Sequence, residues 1–349
     1  MKLMDTNKLD ALAKALAEKG YRVIAPIEVA VTTSSGRPER EVRLAEWTPG
    51  AAIRLDAIPA NSAKEFLFPR TEVIGRYKLD GNDFSPVEVR PAAPKTVVLG
   101  ARPCDAASLK LLDTLFNWDY KDEFYNARRA ATTIVTVVCT TADEQCFCTS
   151  VGVRPDSPAQ ADAVLRPASG GAKLIFEPIG EKGAALAAAA GNLLADGQAA
   201  ADPPADVPAQ FDVDAVKAWL GDNFESNLWD TLSAACLGCG ACAYACPACH
   251  CFDIQDEATR AEAVRLRNWD SCGFGLFTQH AGGHNPRADQ AARWRNRVMH
   301  KFSYIPERFH LLGCTGCGRC ARLCGAGMSM LEVCREIARS AKAEKAVAK

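Results

Sequence analysis

The chain carries sixteen cysteines in 349 residues, and they are gathered rather than scattered. Cys104, Cys139, Cys146 and Cys148 lie in the first half. Cys236, Cys239, Cys242, Cys246, Cys249 and Cys251 form a dense run, Cys272 stands alone, Cys314, Cys317, Cys320 and Cys324 follow, and Cys334 is last. Cysteines used only for packing would be spread along apolar faces at helix or strand spacing. Disulfides are not the expectation either. Asp5, Asp10 and Glu18 interrupt any signal-peptide core, and apolar stretches such as Ile134 to Cys139 are far too short to span a bilayer. A cytoplasmic chain is expected, where thiols stay reduced. Metal–thiolate loops are therefore the working expectation. Forty-one Lys plus Arg against forty-two Asp plus Glu leave a net charge of −1, which excludes a globally basic nucleic-acid binder.

Two runs sharpen the chemistry. Cys236-Leu-Gly-Cys239-Gly-Ala-Cys242-Ala-Tyr-Ala-Cys246-Pro247 has the bacterial ferredoxin spacing, and Cys314-Thr-Gly-Cys317-Gly-Arg-Cys320-Ala-Arg-Leu-Cys324 repeats it with Gly325 in place of proline. Three thiolates on one tight loop converge on three corners of a cubane, and the interleaved glycines supply the backbone angles. The fourth cysteine of each run serves the other cluster in two-cluster proteins. This assigns one [4Fe–4S] cluster to Cys236, Cys239, Cys242 and Cys324, and a second to Cys246, Cys314, Cys317 and Cys320. Structural zinc is the rival, because paired C-x-x-C motifs also bind it, but the duplicated spacing favours iron–sulfur. Cys246-Pro-Ala-Cys249-His250 also matches a c-type haem attachment motif. Haem would compete for Cys246, and the export signal that normally accompanies it is not seen.

Cys104, Cys139, Cys146 and Cys148 complete a set of four and are read as a third [4Fe–4S] site. The alternatives are ordinary core cysteines or a redox pair in Cys146 and Cys148. Cys249, Cys251, Cys272 and Cys334 are left over, and spacing does not exclude a metal role for Cys249, Cys251 and Cys272.

Periodicity places a helix from Asp5 to Lys19, a strand from Tyr21 to Val31, and buried strands around Thr96–Leu99 and Thr132–Val138. Asp105 is expected to cap a helix from Ala106 to Phe116. Residues 1–225 thus read as an α/β or α+β domain, and 226–340 as a ferredoxin-like two-cluster domain with a long helical insert over 247–313. Gly183 to Gln210, rich in Ala, Asp and Pro, reads as a linker, Val213–Phe224 as a helix, and 341–349 as a fraying tail. From Arg260 to Arg308 nine Lys plus Arg face four Asp plus Glu. This surplus either lies near the clusters, forms a docking face for an acidic partner, or is solvated and paired with the N-terminal domain. His280, His284 and His300 read as structural rather than ligating, and Trp269 and Trp294 as packing residues. No G-x-G-x-x-G follows a strand and no phosphate-loop motif occurs, so no nucleotide or flavin site is visible.

Arg102-Pro-Cys104-Asp105, Cys146-Phe-Cys148, the stretch ending Cys246-Pro-Ala-Cys-His-Cys-Phe252, Trp269-Asp-Ser-Cys272 and His280-Ala-Gly-Gly-His284 together resemble one family. It is the iron–sulfur beta subunit of cytoplasmic nickel–iron hydrogenases (sulfhydrogenases), with the related A subunit of anaerobic sulfite reductase. The resemblance implies an electron-transfer subunit in a hetero-oligomer. It would join a flavin subunit that handles NAD(P)H, with FAD held there, to a catalytic subunit that reduces protons or sulfite. It also implies cysteines at 104, 139, 146 and 148, and a proline where Gly325 stands, so the helix holding Cys324 is expected to be looser. Two further readings stay open: an enzyme reducing a small sulfur substrate at its own cluster, with Cys249, Cys251 and Cys272 as a thiol site, and a metal-stabilised scaffold.

Overall fold

The computed structural model describes residues 1–32, 35–81 and 83–347. Among the described residues twelve strands run in chain order: β1 (Lys2–Asp5), β2 (Arg22–Thr32), β3 (Pro38–Glu46), β4 (Thr71–Asp80), β5 (Asp83–Val87), β6 (Thr96–Ala101), β7 (Thr132–Val137), β8 (Ala163–Ala168), β9 (Lys173–Pro178), β10 (Ala195–Asp196), β11 (Phe252–Ala258) and β12 (Glu262–Trp269). Eight form one sheet in the order β10-β1-β9-β8-β7-β6-β2-β3. Its centre, β2, β6, β7 and β8, is parallel, and the flanks are antiparallel.

The centre is parallel because its strands are apolar on both faces and helices cover both. All six residues of β6 and all six of β7 are buried. Alternate side chains then go to opposite layers. Val97, Leu99, Val135 and Val137 pack with Leu12 and Leu16 of the helix Leu9–Glu18 and with Leu186 of Gly180–Ala190. Val98 and Ile134 pack with Leu109 and Leu112 of the helix Pro103–Leu115. At about 1.5–3 kcal/mol for each buried aliphatic side chain, these two layers are the main stabilising feature of the first half.

Asp105 caps its helix from inside the first turn rather than as the N-cap. The helix starts at Pro103, whose fixed φ suits a first turn, and Asp105 is its third residue, completing a capping box as its carboxylate accepts from the Arg102 N–H at 3.3 Å. Cys104 is thereby the second residue of the helix, just past the carboxyl end of β6. The segment expected to be a linker is helical from Gly180 to Ala190, and only after β10 does it run without regular structure. That later stretch is pinned, with Ala205 N–H donating to Cys139 O at 2.7 Å and Thr149 Oγ1 to Val207 O at 2.6 Å.

The insert is not wholly helical. Its first half is the hairpin β11–β12, which joins β4 and β5 in a second sheet of order β11-β12-β4-β5. The alternation from Glu262 to Trp269 is a strand period, and pairing Phe252 with Trp269 sets the register. Helices Gln290–Met299 and Ile305–Phe309 form the second half, joined by a widened π turn over His300–Tyr304. The segment expected as a tail continues a helix: it spans Met330–Val347, with Ala341 buried and Glu344 accepting from Trp219 Nε1 at 2.9 Å. Residues 348 and 349 of that expected tail lie outside the described residues. Among the described residues, no helix is long and apolar enough to cross a membrane.

Candidate metal centres

Cys236, Cys239, Cys242 and Cys324 line one cavity of about 590 Å³. Gly238 and Gly240 hold φ of 67° and 74°, left-handed values that let the loop turn its sulfurs inward. Gln290 Nε2 donates to Cys236 Sγ at 3.1 Å, and Met328 N–H to Cys324 Sγ at 3.3 Å. Cys239 is exposed, as is Leu237 beside it on the loop.

Cys314, Cys317 and Cys320 lie on the second run, and each has Cys246 of the first as an electrostatic neighbour. Lys301 Nζ donates to Cys246 Sγ at 3.4 Å and to Gly313 O at 2.7 Å. As a free thiol, Cys246 is pushed up to about 12, first by its hydrogen bond with Cys249 and then by burial. Burial pushes Cys314 to about 12.

Cys104, Cys139, Cys146 and Cys148 line a cavity of about 420 Å³, with Cys317 at its edge. Cys104 and Cys139 come from the ends of the adjacent parallel strands β6 and β7, the position where open α/β sheets build sites. Cys146 and Cys148 come from the loop that follows. This loop is held against the second run. Phe147 N–H donates to Gly316 O at 3.0 Å, and a Cβ on Gly316, whose φ is 64°, would stand 2.5 Å from Cys148 Cα. Glycine there is what permits the approach.

The thiols face cations. Arg102 Nη1 lies 3.8 Å from Cys139 Sγ, while its Nη2 donates to Leu55 O and Ala57 O. Arg322 Nη2 donates to Cys146 Sγ at 3.2 Å. Arg319, fully buried, makes a bidentate pair with Asp105 at 2.7 and 2.9 Å and donates to Pro59 O at 2.8 Å, locking the second run onto the helix that carries Cys104. Arg297 Nη2 donates to Cys242 O at 2.9 Å. Sequence reasoning registered only the basic surplus in the insert. Arg297 and Lys301, four residues apart, are the part of it that turns inward on one helical face. Lys64, buried among Cys246, Cys249 and Cys251, gave no signal.

A mononuclear zinc site needs its sulfurs converged about 2.3 Å from one point. Among the described residues no three His, Cys, Asp or Glu side chains converge on one ion in that way. Sulfurs spread round a cavity and faced by guanidinium and ammonium groups fit an anionic cage of several irons. Of the histidines, His280 and His284 contact each other at 5.4 Å in an exposed loop, and His300 packs on His250 at 5.4 Å. Trp269 is buried, donating Nε1 to Phe68 O at 3.1 Å, and Trp294 is buried in the helical core.

Residues 235–328, spanning both cysteine runs, match a family described as a 4Fe-4S dicluster domain. The chain is an iron–sulfur protein of mixed α/β fold. Over 288 residues it is 30% identical to sulfhydrogenase 2 subunit beta of Pyrococcus furiosus, covering 78% of this chain and 81% of that one. The chain belongs to the sulfhydrogenase beta-subunit family. No solved structure matches it.

Proposed function

We propose that the chain is an electron-transfer subunit that passes electrons between a flavin subunit handling NAD(P)H and a catalytic subunit such as a nickel–iron hydrogenase. The cysteines assigned above would hold three [4Fe–4S] clusters. Cys236, Cys239, Cys242 and Cys324 would hold one, Cys246, Cys314, Cys317 and Cys320 a second, and Cys104, Cys139, Cys146 and Cys148 a third. Such clusters accept and release single electrons, which is what a flavin delivers after splitting a hydride.

One observation carries the reading: the three thiol groups are contiguous. Cys104 neighbours Cys317, and Cys242 neighbours Cys320, so the second group sits between the other two. Gly316 and Gly318 close the gap on one side. Gly318 packs so tightly that a Cβ would stand 2.4 Å from Gln145 O. The exposed Cys239, with the exposed Leu237 beside it, supports contact with a redox partner at the first group. The cations beside the sulfurs would favour the reduced, more negative state and raise its potential. Nothing in this arrangement requires an acid, a base or a nucleophile.

The test uses the assembled complex. A Cys104→Ser chain should lose about four irons and one cluster's spectral signal. It should cut electron flow from NAD(P)H to the catalytic subunit at least tenfold, while each terminal subunit keeps its activity with artificial dyes. Oxidation of NAD(P)H by the isolated chain without a flavin partner would overturn the reading. Co-purification with a sirohaem subunit would move the assignment to the sulfite-reducing alternative.

A further inference from the structure

Three cysteines remain outside these groups, and the fold collects them. Cys249 and Cys251 follow the first run, and Cys272 follows β12. The hairpin pairs Phe252 with Trp269, and Asp270 N–H donates to Cys251 O at 3.0 Å, which brings Cys272 against Cys251. Cys249, Cys251 and Cys272 line a narrow cleft together with His250 and His300.

The charges around this cleft do not balance without an anion. Lys64, Arg297 and Lys301 are 2%, 3% and 5% exposed. Among the described residues, none of the three has an Asp or Glu within ion-pair distance; the nearest polar groups are carbonyls and sulfurs. Lys64 Nζ donates to Cys249 O at 2.9 Å. Arg297 Nη1 lies 3.7 Å from Cys249 Sγ and 4.0 Å from Cys272 Sγ, and its Nε has no hydrogen-bond partner. Lys301 Nζ reaches Cys246 Sγ. Lys301 also faces Cys246 and Arg297 the Cys242 loop, so the clusters proposed there supply part of the counter-charge for these buried cations, and neutral thiols at Cys249, Cys251 and Cys272 do not supply the rest. Thiolates bound to an anionic metal cage do.

We propose that Cys249, Cys251 and Cys272 hold a further [4Fe–4S] cluster whose fourth iron is not bound by cysteine and faces His250 and His300. His250 Nδ1 lies 3.1 Å from Ala248 O, so the tautomer that donates there leaves Nε2 as the ring's free lone pair. The cluster sits beside two of the groups described above, since Arg297 touches both Cys242 O and these sulfurs, and Lys301 touches Cys246. With three thiolates an oxidised [4Fe–4S] cluster carries −1, the same as a Cys₃His zinc site, and reaches −2 on one-electron reduction, so the iron, sulfide and zinc content separates the two. The inference rests on the iron–sulfur character of the chain and not on the path that electrons take.

The full chain, purified anaerobically, is assayed for iron, sulfide and zinc beside Cys272→Ser and, as a control, Cys334→Ser. Cys334 is fully buried and belongs to none of the groups. Cys272→Ser should lose about four irons and four sulfides per chain while Cys334→Ser keeps them. A separate reading needs no variant. Mild ferricyanide oxidation of the unaltered chain should release the iron that lacks a cysteine and give the EPR signal of a three-iron cluster. Unchanged iron in folded Cys272→Ser, loss of one zinc instead, or no three-iron signal would overturn the proposal. Loss of iron in Cys104→Ser alone would leave the relay reading intact while sinking this one.

Discussion

Along β7, six successive residues are buried among aliphatic neighbours on both faces. Along the second cysteine run, the buried groups are instead thiols, the Arg319 guanidinium and the close-packed Gly316 and Gly318, and the only regular element is the four-residue helix Arg319–Arg322. The first region is stabilised by apolar area and needs nothing from outside. The second buries cations and thiols that are costly alone and favourable only together, so its stability is tied to what the sulfurs hold. This contrast explains how one chain can place charge-carrying groups deep inside without losing its fold: the sheet supplies a rigid wall, and the loops are hung from its strand ends.

Iron removal gives the largest expected effect. Anaerobic chelation should free the amides of residues 236–246 and 314–324 to exchange, while those of β6 and β7 stay protected in hydrogen-exchange mass spectrometry. If the sheet loses protection in parallel, the two regions are one cooperative unit and the contrast fails. Next comes the ion pair that joins them. Arg319→Met leaves Asp105 buried without a partner, which should cost roughly 3–5 kcal/mol in denaturant melts. Adding Asp105→Leu should recover much of that loss; no recovery would mean that the hydrogen bond to Pro59 O dominates instead. The smallest effect concerns backbone approach. Gly316→Ala, with its left-handed φ and a methyl 2.5 Å from Cys148 Cα, should cost about 1–2 kcal/mol and weaken the signal of the cluster proposed at Cys104, Cys139, Cys146 and Cys148. An unaltered spectrum would show that the two loops can part without consequence.

Several features were legible from residue order because they are local. β-branched runs at 96–99 and 132–138 have no stable alternative to a buried strand, and the two C-x2-C-x2-C-x3-C runs encode their own loop geometry. Errors arose where long-range contacts overruled local pattern. Ala-rich residues after Gly180 form a helix because Leu186 finds the sheet, and the tail stays helical because Ala341 and Glu344 meet the helix Val213–Asp222. The insert folds first as a hairpin because β4 offers an edge to β12, a partner nearly two hundred residues away.

Residue order alone determined that this is an iron–sulfur chain, since thiol spacing on a tight loop is set by a few neighbouring dihedrals. Only the tertiary structure decided how the thiol groups abut, that Cys272 returns to Cys251, and that Lys64, Arg297 and Lys301 converge without a carboxylate. These depend on which distant surfaces close against each other, and the free energy of that closure comes from burial and charge pairing across the whole fold rather than from any short segment.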